Sequence, residues 1–291
     1  MPDAQVTNSQ MKEMLSGEFQ RSGDPDFQRR ILVSTYQNIP GLKGFWGPSQ
    51  SNLTGTPYIT DYSFNGNHFP PQVTVPVMYT NLGRTYHQFT GANYMSLADA
   101  THWDILGNEA YINAKGISMG CWIISTRARP YAAVEGLISK WTTVGGQRSY
   151  FLELDNANNN NVTFVLSDNG ANSYAFDHSK TILQNVAWYF VAATWNPAIV
   201  FGEAAGVRIW VNDQMEYHNT SDRGTVGFPL TIFNSTAPLR LSNSATGGQE
   251  YLGFATYWWI AGNYLQESQI FNLWEVSKNV TGWLNEKGTS W

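Results

Sequence analysis

The chain has 291 residues, 42% of them hydrophobic and only 13% charged, with 22 acidic against 17 basic side chains for a formal net charge of −5. That is ample apolar material for one large core, and the balance implies no basic face of the kind that binds nucleic acid. The single cysteine, Cys121, excludes an intramolecular disulfide framework and a multi-cysteine zinc site.

Residues 1–14 show neither the basic start nor the apolar stretch of an export signal, and no run reaches the ~20 apolar residues of a membrane-spanning helix. Neither a Sec-type route nor a membrane partner is expected. The 12 Trp, 15 Tyr, 15 Phe and 26 Gly, set among many Asn, Ser and Thr, predict short strands joined by polar turns.

Residues 1–40 read as an arm. Asp24-Pro25 is an N-cap followed by proline at the first helical position, and Phe27 and Ile31 share one face of a short helix that ends near Asn38 and Pro40. With Leu32 and Tyr36 it carries apolar surface but cannot bury a core by itself, so it is expected to be a tail or an arm that packs on something else.

From 41 to 291 the texture is that of one sandwich. Ile117, Met119, Cys121 and Ile123 alternate with Ser118, Gly120 and Trp122, and Val162, Phe164 and Leu166 alternate likewise. The run Trp188 to Trp195 is continuously apolar, as in a central strand covered on both faces, and Val207 to Val211 leads into a hairpin at Asn212-Asp213. A terminal helix is expected from about Gln266 to Glu286, with Ile270, Leu273, Trp274, Val280 and Leu284 on one stripe. The predicted fold class is all-β: an antiparallel sandwich with a short helical N-terminal arm and a C-terminal helix.

Several stretches together resemble a family. Gly41-Leu42-Lys43-Gly44-Phe45-Trp46, Asp61 to His68, and Arg84 to Gly91 followed by Asn93-Tyr94 are similar to the opening strands of laminin-G-like, concanavalin A-like jelly-roll domains. Ile117–Ile124, Leu137–Trp141, Asn185–Trp195, Arg208–Asn212 and Pro238–Leu241 follow in the family's order. The resemblance covers about residues 41 to 275 and implies the jelly-roll fold. It leaves function open, because such sandwiches serve as sugar-binding modules, adhesion domains, enzyme appendages and virion parts.

It also implies where chemistry would sit. Members of the group often hold calcium with oxygens from a D-x-x-x-N-G-N segment and a late acidic pair. Asp61, Asn65 and Asn67 match the first half, while the pair falls on Thr256-Tyr257. Calcium is the only cofactor suggested. Glu153-Leu154-Asp155 compares with the E-x-D-x-x-E strand of laminarinase-type glucanases, but the third acidic position is Asn158. Gly116-Ile117-Ser118-Met119-Gly120 matches G-x-S-x-G, yet its flanks continue as a strand rather than turning into a helix, so Ser118 is expected to be an ordinary strand residue. No catalytic residue is assigned.

Aromatics remain. Tyr257, Trp258 and Trp259 would alternate faces on a strand, and Trp103, Tyr131, Trp141 and Tyr251 lie in or beside loops. Trp141, Trp258, Trp259, Tyr257 and Trp103 are therefore the candidate sugar-stacking residues. A sandwich of extracellular type without export signal or disulfides, led by an arm with little to pack on, fits a non-catalytic virion structural protein. The expectation is a capsid decoration or tail-associated component on the virion surface, made in the host cytoplasm, whose arm (Phe27, Ile31, Leu32, Tyr36) engages other virion subunits. The sandwich would face outward, with surface glycans as further partners and a symmetric homo-oligomer as the common state. A carbohydrate-binding module is the alternative, and a glucanase-type hydrolase a third.

Overall fold

The computed structural model describes residues 25–48, 59–70, 76–81, 84–104, 116–126, 133–155, 161–171, 174–184, 187–197, 206–216 and 231–281. Two antiparallel sheets face each other. The larger joins β13 (Gln214–Glu216), β12 (Val207–Val211), β11 (Tyr189–Trp195), β6 (Ile117–Ser125), β15 (Leu252–Ala261), β1 (Leu42–Gly47) and β2 (Thr60–Asp61) in that order. Beyond β15 it also carries β4 (Arg84–Thr90), paired in turn with β3 (Val77–Asn81). The smaller sheet runs β10 (Tyr174–His178), β9 (Asn161–Ser167), β8 (Gln147–Asp155), β7 (Glu135–Thr142), β14 (Leu239–Leu241) and β5 (Met95–Leu97).

The period-2 pattern sorts side chains as the sequence predicts. Met119, Cys121 and Ile123 of β6, Leu152 and Leu154 of β8, and Val162, Phe164 and Leu166 of β9 all enter one core between the sheets. Strand β11 is buried along both faces: Val191 and Ala193 belong to that core, Phe190 and Ala192 to a second one. Ser118 sits mid-sheet at the start of β6, its hydroxyl donating to Asn263 O at 2.7 Å and accepting from Leu265 N at 2.9 Å, which is a structural bond rather than a nucleophile's setting. At Asn212 the backbone turns left-handed and closes the β12–β13 hairpin.

The second core lies on the outer face of the larger sheet, under two helices. Helix α1 spans Pro25–Gln37 and α2 spans Glu267–Thr281. Leu32 and Tyr36 of α1 are fully buried, and the Tyr36 ring stacks on Phe45 with centroids 4.1 Å apart and planes 7° apart. From α2, Ile270, Leu273 and Val276 face the same layer, and Trp122 Nε1 donates to Ser277 Oγ at 2.8 Å, pinning the helix to β6. The expectation that the arm has little to pack on within its own chain is thereby corrected for residues 31–39: Ile31 is half-buried, and Leu32 and Tyr36 spend their apolar surface on this chain's sheet. The side chain of Phe27 and residues 1–24 and 282–291 lie outside the described residues.

A β-bulge between Thr256 and Trp259, with Tyr257 in the left-handed region, sets which way the late aromatics point. Trp258 enters the inter-sheet core and Trp259 the layer beneath the helices.

Candidate functional site

Of the aromatics proposed from the sequence, the tryptophans are interior. Trp258 and Trp259 are fully buried, Trp103 is 2% exposed, and Trp141 is 8% exposed. Trp103 packs beside Trp46 at 5.5 Å between centroids. Trp141 lies on the outer face of the smaller sheet between Phe151 and the Arg148 guanidinium, each about 5.9 Å away. The strand β7 that bears it is roofed by the segment after β14: Ser139 Oγ donates to Asn243 O at 2.7 Å, Ala245 N to Trp141 O at 3.0 Å and Gly136 N to Gln249 O at 2.8 Å. Gly136 permits that approach, since a Cβ there would stand 2.9 Å from both the Asn243 main chain and the Phe151 ring. Alternation is as predicted, but both faces it reaches are covered, so none of these four indoles offers a ring face to a sugar. Tyr257 is half-buried, stacked near Phe45 at 6.2 Å. Tyr131 lies outside the described residues.

The acidic strand gives no open catalytic pair. Glu153 and Asp155 share one face of β8, but Glu153 is only 8% exposed, and burial, with the Asp155 charge adding to it, pushes its carboxyl up to about 8. Across the strands its neighbours on that face are Thr163 and His178, both buried.

A second polar group escaped the sequence reading altogether. Lys140 is fully buried, its ammonium 2.7 Å from Asp99 Oδ1 and 3.2 Å from Asp104 Oδ1, and it donates to the Ser235 carbonyl. The Asn234 amide, oriented so that its nitrogen donates, lies 2.6 and 2.8 Å from the Asp104 oxygens. This network joins β7 to the loops on either side, with Lys140 fully buried and Asp99 reaching the surface.

The calcium segment builds a turn. Asp61 is 5% exposed, and both its oxygens accept main-chain N–H groups: Oδ1 from Phe45 at 3.1 Å and Ser63 at 2.8 Å, Oδ2 from Asn67 at 2.9 Å. The amide nitrogens of Asn65 and Asn67 donate to the carbonyls of Leu42 and Lys43 at 3.0–3.3 Å. A single carboxylate already engaged by three N–H donors does not fit the charge calcium needs. Among the described residues no group of three or more His, Cys, Asp or Glu side chains comes together to hold a metal.

What this rigid turn does is hold out Phe64. The residue is 84% exposed and sits at φ 66, a region bulky side chains avoid. Between the turn and helix α1 runs a cleft of about 620 Å³ lined by Arg30, Ser34, Gln37, Asp61, Tyr62 and Phe64. Its walls are fixed: Gln37 Nε2 donates to Tyr62 O at 2.8 Å, Tyr62 OH donates to Pro48 O at 3.0 Å, and Tyr62 N to Phe45 O at 2.7 Å. The cleft thus combines an outward aromatic, a second aromatic wall and several planar polar groups, on a scaffold tied to β1 and α1. That is the composition of a small-ligand site. The sequence signal was present, since an aromatic beside Asn65-Gly66 in a turn has no core to enter, but the segment drew notice only as a turn, a family resemblance and a calcium half-site.

No family model and no curated protein matches the chain. Solved structures do. The binding domain of Paraclostridial Mosquitocidal Protein 1 is similar at a TM-score of 0.56 and 11% identity over 80% of this chain. The binding domain of botulinum neurotoxin DC, in complex with SialylT, is similar at 0.53 and 15% over 82%. Domain 4 of AbnA, an extracellular arabinanase from Geobacillus stearothermophilus, in complex with arabinotriose, is similar at 0.50 and 13% over 80%. The chain spans about half the length of the two toxin domains, 52% of each, and 97% of the arabinanase domain. At these identities the likeness is one of fold: an antiparallel β-sandwich of the kind found in binding domains.

Proposed function

We propose that this protein is a non-catalytic carbohydrate-binding sandwich of the concanavalin A-like group, and that it engages saccharide in the cleft between α1 and the Asp61–Asn67 turn. The observation that carries the reading is Phe64, an aromatic held 84% exposed in a left-handed backbone at the cleft's edge. A bulky side chain at positive φ costs about 1–3 kcal/mol, a cost that a purely structural turn would shed by placing glycine there. Exposed aromatic faces beside polar side chains suit the amphipathic surface of a sugar ring, which stacks its C–H face and hydrogen-bonds its rim. Two of the similar sandwiches were solved with arabinotriose and SialylT, which supports the class of ligand. The burial of Glu153 speaks for a binding rather than a hydrolytic role.

Affinity electrophoresis through gels containing different polysaccharides tests it, with wild type beside Phe64→Ala. Retardation of the wild type, weakened roughly tenfold or more by the substitution, is expected. Equal retardation of both proteins places any sugar site elsewhere.

The setting on a virion surface is part of the proposal. The described portion of the arm gives it no support, because Leu32 and Tyr36 are used within the chain. It therefore rests on residues 1–24. Truncation to Pro25 is expected to leave a folded, glycan-binding domain that no longer joins a larger assembly.

A further inference from the structure

The charge distribution of the cleft narrows the ligand class, on the reading that the cleft is the saccharide site. Asp61, the one lining carboxylate among the described residues, is turned inward: its two oxygens accept three main-chain N–H groups at 2.8–3.1 Å, and it is 5% exposed. Engaged in this way and 5% exposed, it is a fixed part of the turn that gives little of its charge to the cleft. Tyr62 OH is likewise committed to Pro48 O and the Gln37 amide nitrogen to Tyr62 O. Among the described residues, what the cleft still presents as charge is the guanidinium of Arg30, an exposed residue of α1 on its wall. A guanidinium carries five N–H donors in a planar fork and no acceptor, so it can keep a protein partner and still grip a carboxylate in bidentate fashion.

We infer that the cleft recognises an acidic saccharide, one whose ring carries a carboxylate. The carboxylate pairs with Arg30 while the apolar ring face lies against Phe64, and Tyr62 forms the back wall. The recognition is non-covalent and needs no metal.

Titration calorimetry on the full chain tests it with two matched pairs: tetragalacturonate against its methyl ester, and sialyllactose against lactose. The wild type is expected to bind at least one acid roughly tenfold or more tightly than its neutral partner. That advantage should shrink as salt rises from about 20 to about 200 mM. Arg30→Gln should abolish the acid's advantage over its neutral partner, so that the two bind alike, whereas Phe64→Ala should weaken both. Acid and neutral forms bound equally, with Phe64→Ala still damaging, would overturn the acidic-saccharide inference and leave the cleft as a neutral sugar site. An acid preference that survives Arg30→Gln would also overturn it. If a sulfated lactose matched sialyllactose, recognition would be of negative charge and the carboxylate assignment would fall. Binding insensitive to Phe64→Ala would refute the cleft itself.

Discussion

Replacing Glu153 by Gln keeps shape and hydrogen-bonding capacity but removes a titration. In the folded protein burial raises this carboxyl from an ordinary value of 4.5 to about 8. Its uncharged form is the one the fold tolerates, so the associated stability is fully present below the unfolded value and is lost as pH rises toward 8. Between those limits the loss is about 1.4 kcal/mol per pH unit, and from about pH 6.5 to about pH 8.5 it totals about 2 kcal/mol. His87 acts in the opposite sense: burial lowers it from 6.5 to about 4, so its contribution disappears as pH falls through that window. The two slopes oppose each other between about pH 4.5 and 6.5, and only the Glu153 slope remains above. Urea unfolding of wild type and Glu153→Gln across this range measures the difference directly. The variant should gain about 2 kcal/mol on the wild type from about pH 6.5 to about pH 8.5. Parallel curves would mean that the carboxyl is hydrated in the native state and that the outer face of the smaller sheet is open, which would revive a catalytic reading of Glu153 and Asp155.

Other outcomes follow from particular contacts. Lys140→Ala leaves Asp104 and Asp99 without their cation and is expected to cost about 3–5 kcal/mol in urea unfolding, against about 1 kcal/mol or less for a half-buried surface pair such as Lys278 with Glu275. Leu32→Ala should destabilise the whole chain by about 2–5 kcal/mol, in the same transition as the sheets, because α1 is part of the second core. If α1 melted separately without affecting the main transition, its docking would be weaker than its burial indicates. Phe64→Gly removes an exposed ring and relieves a left-handed backbone, so thermal stability should hold or rise by up to about 1 kcal/mol while saccharide binding is lost. Cys121, whose thiol burial pushes up, should resist alkylation until the protein unfolds.

Much of the fold was legible because local pattern and tertiary role coincide. The alternation at Met119, Cys121 and Ile123 named the core face of β6, and the unbroken apolar run of β11 announced cover on both sides. The helix starting at Pro25 and the one carrying Ile270 and Leu273 followed from caps and stripes. What local pattern does not encode is which elements lie over which face. Trp258 and Trp259 alternate as expected, but only the positions of α1, α2 and the opposite sheet decide that neither meets solvent. The Lys140 network draws on Asp99, Asp104, Asn234 and Ser235, remote in sequence and joined only by the fold. Phe64 is a different case: Asn65-Gly66 marks a turn, but that the turn would hold the aromatic before it out of the core depends on the bonds Asp61 makes to Phe45, Ser63 and Asn67 in the folded chain.

The central claim is that saccharide binds in the cleft beside Phe64. Its most direct test is to map backbone amide shifts while titrating the isotope-labelled full chain with a saccharide that retards it. The account predicts shifts concentrated at Ser34, Gln37 and Ser63 to Asn65, with little change along β7 and β8. Shifts centred instead on Trp141, Glu153 and their neighbours on the smaller sheet, with the cleft silent, would contradict it.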